Sequence, residues 1–242
     1  MSLLSVTTWS LHRNLGPLRH VRRGEDGRLV SAIQPQPETI SLLDLPQRLA
    51  ALGFEAVDVC HFHFPRTDPD YLAALRDACA AASIQFFSLL IDAGDITHPD
   101  PAVRADDLGF IRRWIDVAAA CDARCARVIA GDAPPDDAAA RTLAIEQLRD
   151  LTAYGKARGV QVLTENFHRL ASTAANVHAL LDGVPGLGLV ADFGNFRGAD
   201  RDDALASILP RASSVHAKID VAADGTWEVA RFERHMEMAR AA

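Results

Sequence analysis

The sequence predicts a single α/β domain over residues 1–242: a barrel of parallel strands, each followed by a helix. Three observations point there. Seven short apolar runs alternate with helical patterns, and such alternation means a parallel sheet with right-handed crossovers. The later runs end on acids or histidines, where barrel enzymes carry their sites. No glycine-rich GxGxxG follows the first run, so a doubly wound dinucleotide-binding sheet lacks its main signal.

Leu3 to Trp9, rich in β-formers, is the first strand. Residues 10–40 carry Gly16, Pro17, Gly24, Gly27, Pro35 and Pro37 with no clean period. They are expected to form a long loop over the C-terminal mouth of the barrel, with Glu25-Asp-Gly-Arg28 able to turn a small hairpin. The loop is locally basic (His12, Arg13, Arg19, His20, Arg22, Arg23), which fits a solvated surface or a lid meeting an anionic substrate group. Leu42, Leu45, Leu49 and Leu52 then recur at helical spacing, with Asp44 as a cap, Pro46 in the first turn and Gly53 past the end. Ala56–Phe64 is the second strand, Tyr71–Ala82 a helix, Gln85–Ile91 the third strand and Pro99–Ala120 a long helix. Ala126–Ala130 is the fourth strand and Asp136–Arg158 the next helix. The fifth strand starts at Gln161, the sixth covers Leu187–Asp192 and the seventh Ser213–Lys218, with helices over Ser172–Asp182, Asp202–Leu209 and Phe232–Ala242. No eighth strand is visible: either the chain is cut short or the barrel is open, with its first and seventh strands as edges.

Of the 242 residues, 49% are hydrophobic and 24% charged, ordinary for a globular chain. The formal charge of −7 argues against a nucleic-acid partner. No apolar run approaches the ~18 residues of a membrane span, and no secretory signal opens the chain, so the expectation is a cytoplasmic protein. Cys60, Cys79, Cys121 and Cys125 make no CxxC pair or disulfide framework, and Cys121 and Cys125, four apart near a helix end, read as two small buried residues.

Chemistry concentrates at the strand ends. Glu165, Asp192 and His216 end the fifth, sixth and seventh strands, and neighbouring strands lie ~4.8 Å apart, so the three can converge on one divalent metal. Two carboxylates and an imidazole suit Mn²⁺, Fe²⁺, Co²⁺ or Zn²⁺ better than Mg²⁺, which prefers oxygen. His61 and His63 share one face of the second strand by its two-residue period, with Phe62 and Phe64 opposite. They are candidate substrate contacts, the alternative being one histidine that satisfies backbone groups and one that is exposed. Lys218 shares a face with His216 and is a candidate clamp for a developing oxyanion. Asp92 is a pocket candidate, Asp132 a helix cap, and Asn195 a further substrate contact; Asn166 and His168 lie just past Glu165. Trp9 and Phe193 read as core residues, with a pocket wall as the alternative.

The segments Gly53-Phe-Glu-Ala-Val-Asp-Val-Cys60, Ser88-Leu-Leu-Ile-Asp-Ala-Gly-Asp95, Thr164-Glu-Asn-Phe167, Ala191-Asp-Phe-Gly-Asn195 and Val215-His-Ala-Lys218 stand in an order that resembles the xylose-isomerase-like TIM barrels of the sugar phosphate isomerase/epimerase family. The resemblance implies a TIM-type (β/α) barrel with one divalent metal held by Glu165, Asp192 and His216. The family's fourth ligand, a strand-eight glutamate, has no counterpart here, and Asn195 stands where the sugar epimerases carry a histidine. The chemistry implied is proton abstraction next to the carbonyl of a keto-sugar or sugar phosphate through an enediolate, with Glu165 as a base and Lys218 in support. Dehydration of a keto-polyol such as an inosose needs only one base and one acid, which His61, His63 or Lys218 could supply. A metal-dependent apurinic endonuclease would need ligands this chain lacks and a basic surface. A degenerate barrel that binds sugar without turnover is the non-enzymatic alternative, and a homodimer through the sheet edges or the 10–40 loop is a further expectation.

Overall fold

A computed structural model describes residues 3–25 and 27–242. Seven parallel strands follow one another along the chain, with helices between them. The chain divides into two compact units: one holds the described residues up to Gly94, Asp100–Val128 and Ala153–Gln161, the other Asp95–Pro99, Ile129–Thr152 and Val162–Ala242.

In the first unit β1 (Ser5–Thr7) pairs with β4 (Ala56–Cys60), β4 with β5 (Gln85–Ile91), and β5 with β6 (Cys125–Val128), all parallel. The helices α1 (Leu45–Ala51), α2 (Pro69–Ala81) and α3 (Pro101–Ala120) follow from local signals. Asp68 accepts the Tyr71 amide at 3.1 Å and Asp100 the Ala102 amide at 2.8 Å, each just before a proline whose missing N–H leaves nothing unsatisfied there. Leu108, Ile111, Ile115 and Ala118 form the buried stripe of α3.

Three expectations for this unit change. Asp44 does not cap α1, because Ser41 Oγ donates to its carboxylate at 2.7 Å. Leu52, placed in the apolar stripe by spacing, lies past the helix end and is 73% exposed. Residues 10–40 are not a plain loop: β2 (Leu18–Arg23) and β3 (Leu29–Gln34) form an antiparallel hairpin. Its turn is the one foreseen at residues 25–28, although Asp26 lies outside the described residues. The hairpin is fastened to its own unit. Leu18 is buried with Cys60, Phe62 and Leu90 at the C-terminal ends of β4 and β5, and Arg23 Nη2 pairs at 2.6 Å with the fully buried Asp107 of α3.

In the second unit β7 (Gln161–Glu165, of which Val162 onward belongs to this unit), β8 (Gly188–Asp192) and β9 (Ser214–His216) pair in parallel, with Glu165 opposite Val190 and Asp192 opposite His216. Helix α4 (Ala138–Lys156) contributes residues to both units. Helices α5 (Ala174–Gly183), α6 (Arg201–Ile208) and α7 (Val229–Ala241) complete the second. Asp132, expected as a cap, instead lies 2.5 Å from His168 Nδ1. Phe193 is core, 3% exposed, and its ring meets Phe232 and His235. Trp9, in the first unit, is 48% exposed and stacks on His12, so the core reading fails there.

All four cysteines are free and buried. Burial pushes the thiols of Cys79 and Cys125 up to about 11 and Cys121 to about 12, and raises Cys60 as well. Among the described residues no helix is long and apolar enough to cross a membrane.

Candidate metal centre

Each acid reaches its place through a strand. β7 reads Gln-Val-Leu-Thr-Glu, and its last four residues are buried, which carries Glu165 to the end of an apolar run. β8 delivers Asp192 in the same way, and β9 delivers His216. One potential ligand atom from each of Glu165, Asp192 and His216 lies within 4.8 Å of the others. His216 Nδ1 is 3.4 Å from Glu165 Oε1 and 3.7 Å from Asp192 Oδ2. The Asp192 side chain is fully buried and that of Glu165 nearly so.

The surroundings hold these groups in place. Asn166 clasps the backbone of Asp192, accepting its amide at 2.7 Å and donating to its carbonyl at 3.0 Å. The side chain thus continues the β7–β8 ladder one step past the last strand residue. Asn195 Nδ2 donates to Glu165 Oε1 at 3.1 Å. Asp192 Oδ1 accepts the Gly194 amide at 2.8 Å, and Lys218 Nζ lies 2.6 Å from Oδ2. Burial is the largest influence on the Asp192 carboxyl and works to raise its pKa. The neighbouring His216 imidazole and the Lys218 ammonium together outweigh burial and hold it below the ordinary value.

Lys218 arrives by a route other than strand alternation. β9 ends at His216, and the Lys218 amide turns back to donate to the His216 carbonyl at 3.1 Å. The ammonium reaches Asp192 because the chain bends there.

His61, His63 and Asp92 belong to the first unit. His61–His63 is a 3-10 turn, not strand, so the two-residue alternation does not apply and all of His61, Phe62, His63 and Phe64 are buried. His61 Nδ1 accepts the Asp92 amide at 3.1 Å, and its ring meets Phe62, Phe110 and Trp114 edge-on. His63 Nδ1 lies 2.8 Å from Thr8 Oγ1, which also accepts the Cys60 amide. Burial, more than any charged neighbour, lowers both imidazoles to about 4. They are neutral at pH 7. Asp92 is held by Arg127, whose Nη2 lies 2.6 Å from its Oδ1 and whose side chain is 4% exposed. Arg127 was not singled out from the sequence, where Cys-Ala-Arg-Val reads as an ordinary strand; the one available signal was an arginine inside an apolar run.

Two buried carboxylates and a half-buried imidazole, mutually close, are a donor set that fits a divalent transition metal. No curated protein sequence matches the chain. Among solved structures, a D-psicose 3-epimerase is similar at 17% identity over 84% of this chain and 77% of that one, with a TM-score of 0.66. A xylose isomerase domain protein from Planctomyces limnophilus is similar at 16% identity over 80% of this chain and 81% of that one, with a TM-score of 0.64. A probable 3-DHS dehydratase, AsbF of Bacillus anthracis, is similar at 20% identity over 92% of this chain and 75% of that one, with a TM-score of 0.66. The family model for the xylose isomerase-like TIM barrel matches residues 46–240, and the chain belongs to that family.

Proposed function

We propose that this protein is a divalent-metal-dependent isomerase or epimerase that moves a proton next to the carbonyl of a keto-sugar or sugar phosphate. The observation that carries the reading is the convergence of Glu165, Asp192 and His216 within 4.8 Å. A cation held by these three would draw electron density from the substrate carbonyl and make the adjacent C–H more acidic.

Glu165 is the base. Its Oε1 is fixed by the Asn195 amide and by His216, so the carboxylate is oriented before substrate arrives and needs no reorganisation to accept a proton. Asp192 is the fixed anion of the centre, its backbone clasped by Asn166 and one oxygen tied to the Gly194 amide. Lys218 supplies positive charge to a substrate oxygen as negative charge develops.

A metal-dependent dehydratase of a keto-polyol is the second reading. It is favoured by the centre itself, where Glu165 is a carboxylate fit to take the proton beside the carbonyl and the half-exposed Lys218 ammonium can protonate the hydroxyl that leaves as water. One experiment separates the two. Metal content is measured, then a panel of ketoses and inososes is incubated in D₂O. Deuterium at the carbon beside the carbonyl, with the carbon skeleton and hydroxyl count intact, is the expected result; loss of water favours the dehydratase. A protein that takes up no divalent metal and exchanges no proton overturns both. Glu165→Gln is expected to lower exchange by about 100- to 10,000-fold, and an active variant overturns its role as base.

A further inference from the structure

One oxygen of Asp192 has two claimants. Oδ1 is committed to the Gly194 amide at 2.8 Å. Oδ2 faces the centre, with His216 Nδ1 at 3.7 Å, and it is the oxygen that Lys218 Nζ meets at 2.6 Å. The Asp192 side chain is fully buried while that of Lys218 is 51% exposed. The lysine therefore reaches in from solvent and compensates a carboxylate that burial alone would disfavour. The arm lies close over Gly194, where a Cβ would stand 3.3 Å from Lys218 Cδ and 3.5 Å from Asp192 Oδ1. A divalent cation shared by Glu165, Asp192 and His216 needs the oxygen the ammonium already holds, and two cations on one carboxylate oxygen repel each other.

Building on the function proposed above, we propose that Lys218 is a metal-displaced arm. Without metal it neutralises Asp192; when a divalent cation takes Oδ2, the ammonium is released and becomes the cationic anchor for a substrate oxygen. Loading the metal and arming the substrate site are then one event. Its half-exposed side chain can leave Asp192 without disturbing the core.

The chain has two lysines, Lys156 and Lys218, so amine reactivity can be read at each by mass spectrometry with Lys156 as internal reference. Whole protein is labelled briefly with acetic anhydride at neutral pH, with and without Co²⁺, while calorimetry records Co²⁺ uptake. Labelling of Lys218 relative to Lys156 is expected to rise several-fold with Co²⁺. Lys218→Met, which removes the competing charge, is expected to bind Co²⁺ about tenfold or more tightly, and Lys218→Arg, which keeps it, within about twofold of the parent. An unchanged labelling ratio in protein that takes up Co²⁺, or a Lys218→Met variant that binds no more tightly, overturns the proposal. Absence of Co²⁺ uptake by the parent protein is a separate result, which removes the metal reading and this one together.

Discussion

The pair of buried Arg127 and half-buried Asp92 shows what a single side chain contributes. Arg127 is 4% exposed and also donates to the Ile91 carbonyl, so its charge is met on two sides. Removing one partner leaves the other poorly solvated. Arg127→Met is expected to lower unfolding free energy by about 3–5 kcal/mol, with much of the loss recovered in Arg127→Met/Asp92→Leu. Urea titration of the three proteins checks both halves, and a double variant as unstable as the single one would refute the pairing argument. This pair was hard to read in the sequence because its members are 35 residues apart, Arg127 within β6 and Asp92 just past the end of β5. Glu165, Asp192 and His216 were easier. Each ends an apolar run, and strand spacing alone brings such ends near one another. Their partners were less accessible: Asn195 marks itself only by following Asp192, and the clasp by Asn166 depends on where β7 stops.

Among the elements, the β2–β3 hairpin departs most from its sequence pattern. Its first strand, β2, carries three arginines and His20 where apolar alternation would be expected, since only part of one face is covered. Leu18 is buried in it, whereas Ile33 is 66% exposed. Its attachment rests on Leu18 and on the Arg23–Asp107 pair, and Arg23 also donates to the Gly27 carbonyl at 2.6 Å. Arg23→Ala is expected to speed hydrogen exchange across the hairpin amides while leaving the β4–β5 amides protected. Equal acceleration in both would mean that the hairpin opens only with its unit. The same limit of periodicity explains the His61–His63 turn. Alternation holds only while the chain stays extended, and Cys60 is the last residue of β4. Helices were more legible because their caps and stripes are local, as Asp68 and Asp100 illustrate; Asp44 failed because Ser41 competes for the same carboxylate.

At the scale of the whole molecule, buried histidines set the response to acid. His61 and His63 have folded pKa values near 4 against an ordinary 6.5, so between those values the unfolded chain binds more protons than the folded one. Stability is therefore full above pH 6.5, falls as pH drops towards 4, and then levels with respect to these two groups. Each histidine accounts for about 3 kcal/mol over that window. Urea titrations at pH 7, 5.5 and 4.5 are expected to show the decline, and His61→Gln/His63→Gln to flatten it; a double variant with the parent's slope would assign the effect elsewhere. The parallel α/β character was legible from alternating runs because each run needs only a few consecutive residues to declare itself. The division into two compact units was not, since it depends on which distant helices and strands pack together. The four buried cysteines carry a practical consequence. With their thiols raised and shielded, none should compete in maleimide chemistry at neutral pH. A cysteine introduced on an exposed position such as Ile33 would then be the preferred handle for a fluorophore, so the hairpin can be watched by single-molecule spectroscopy without first stripping the protein of its native thiols.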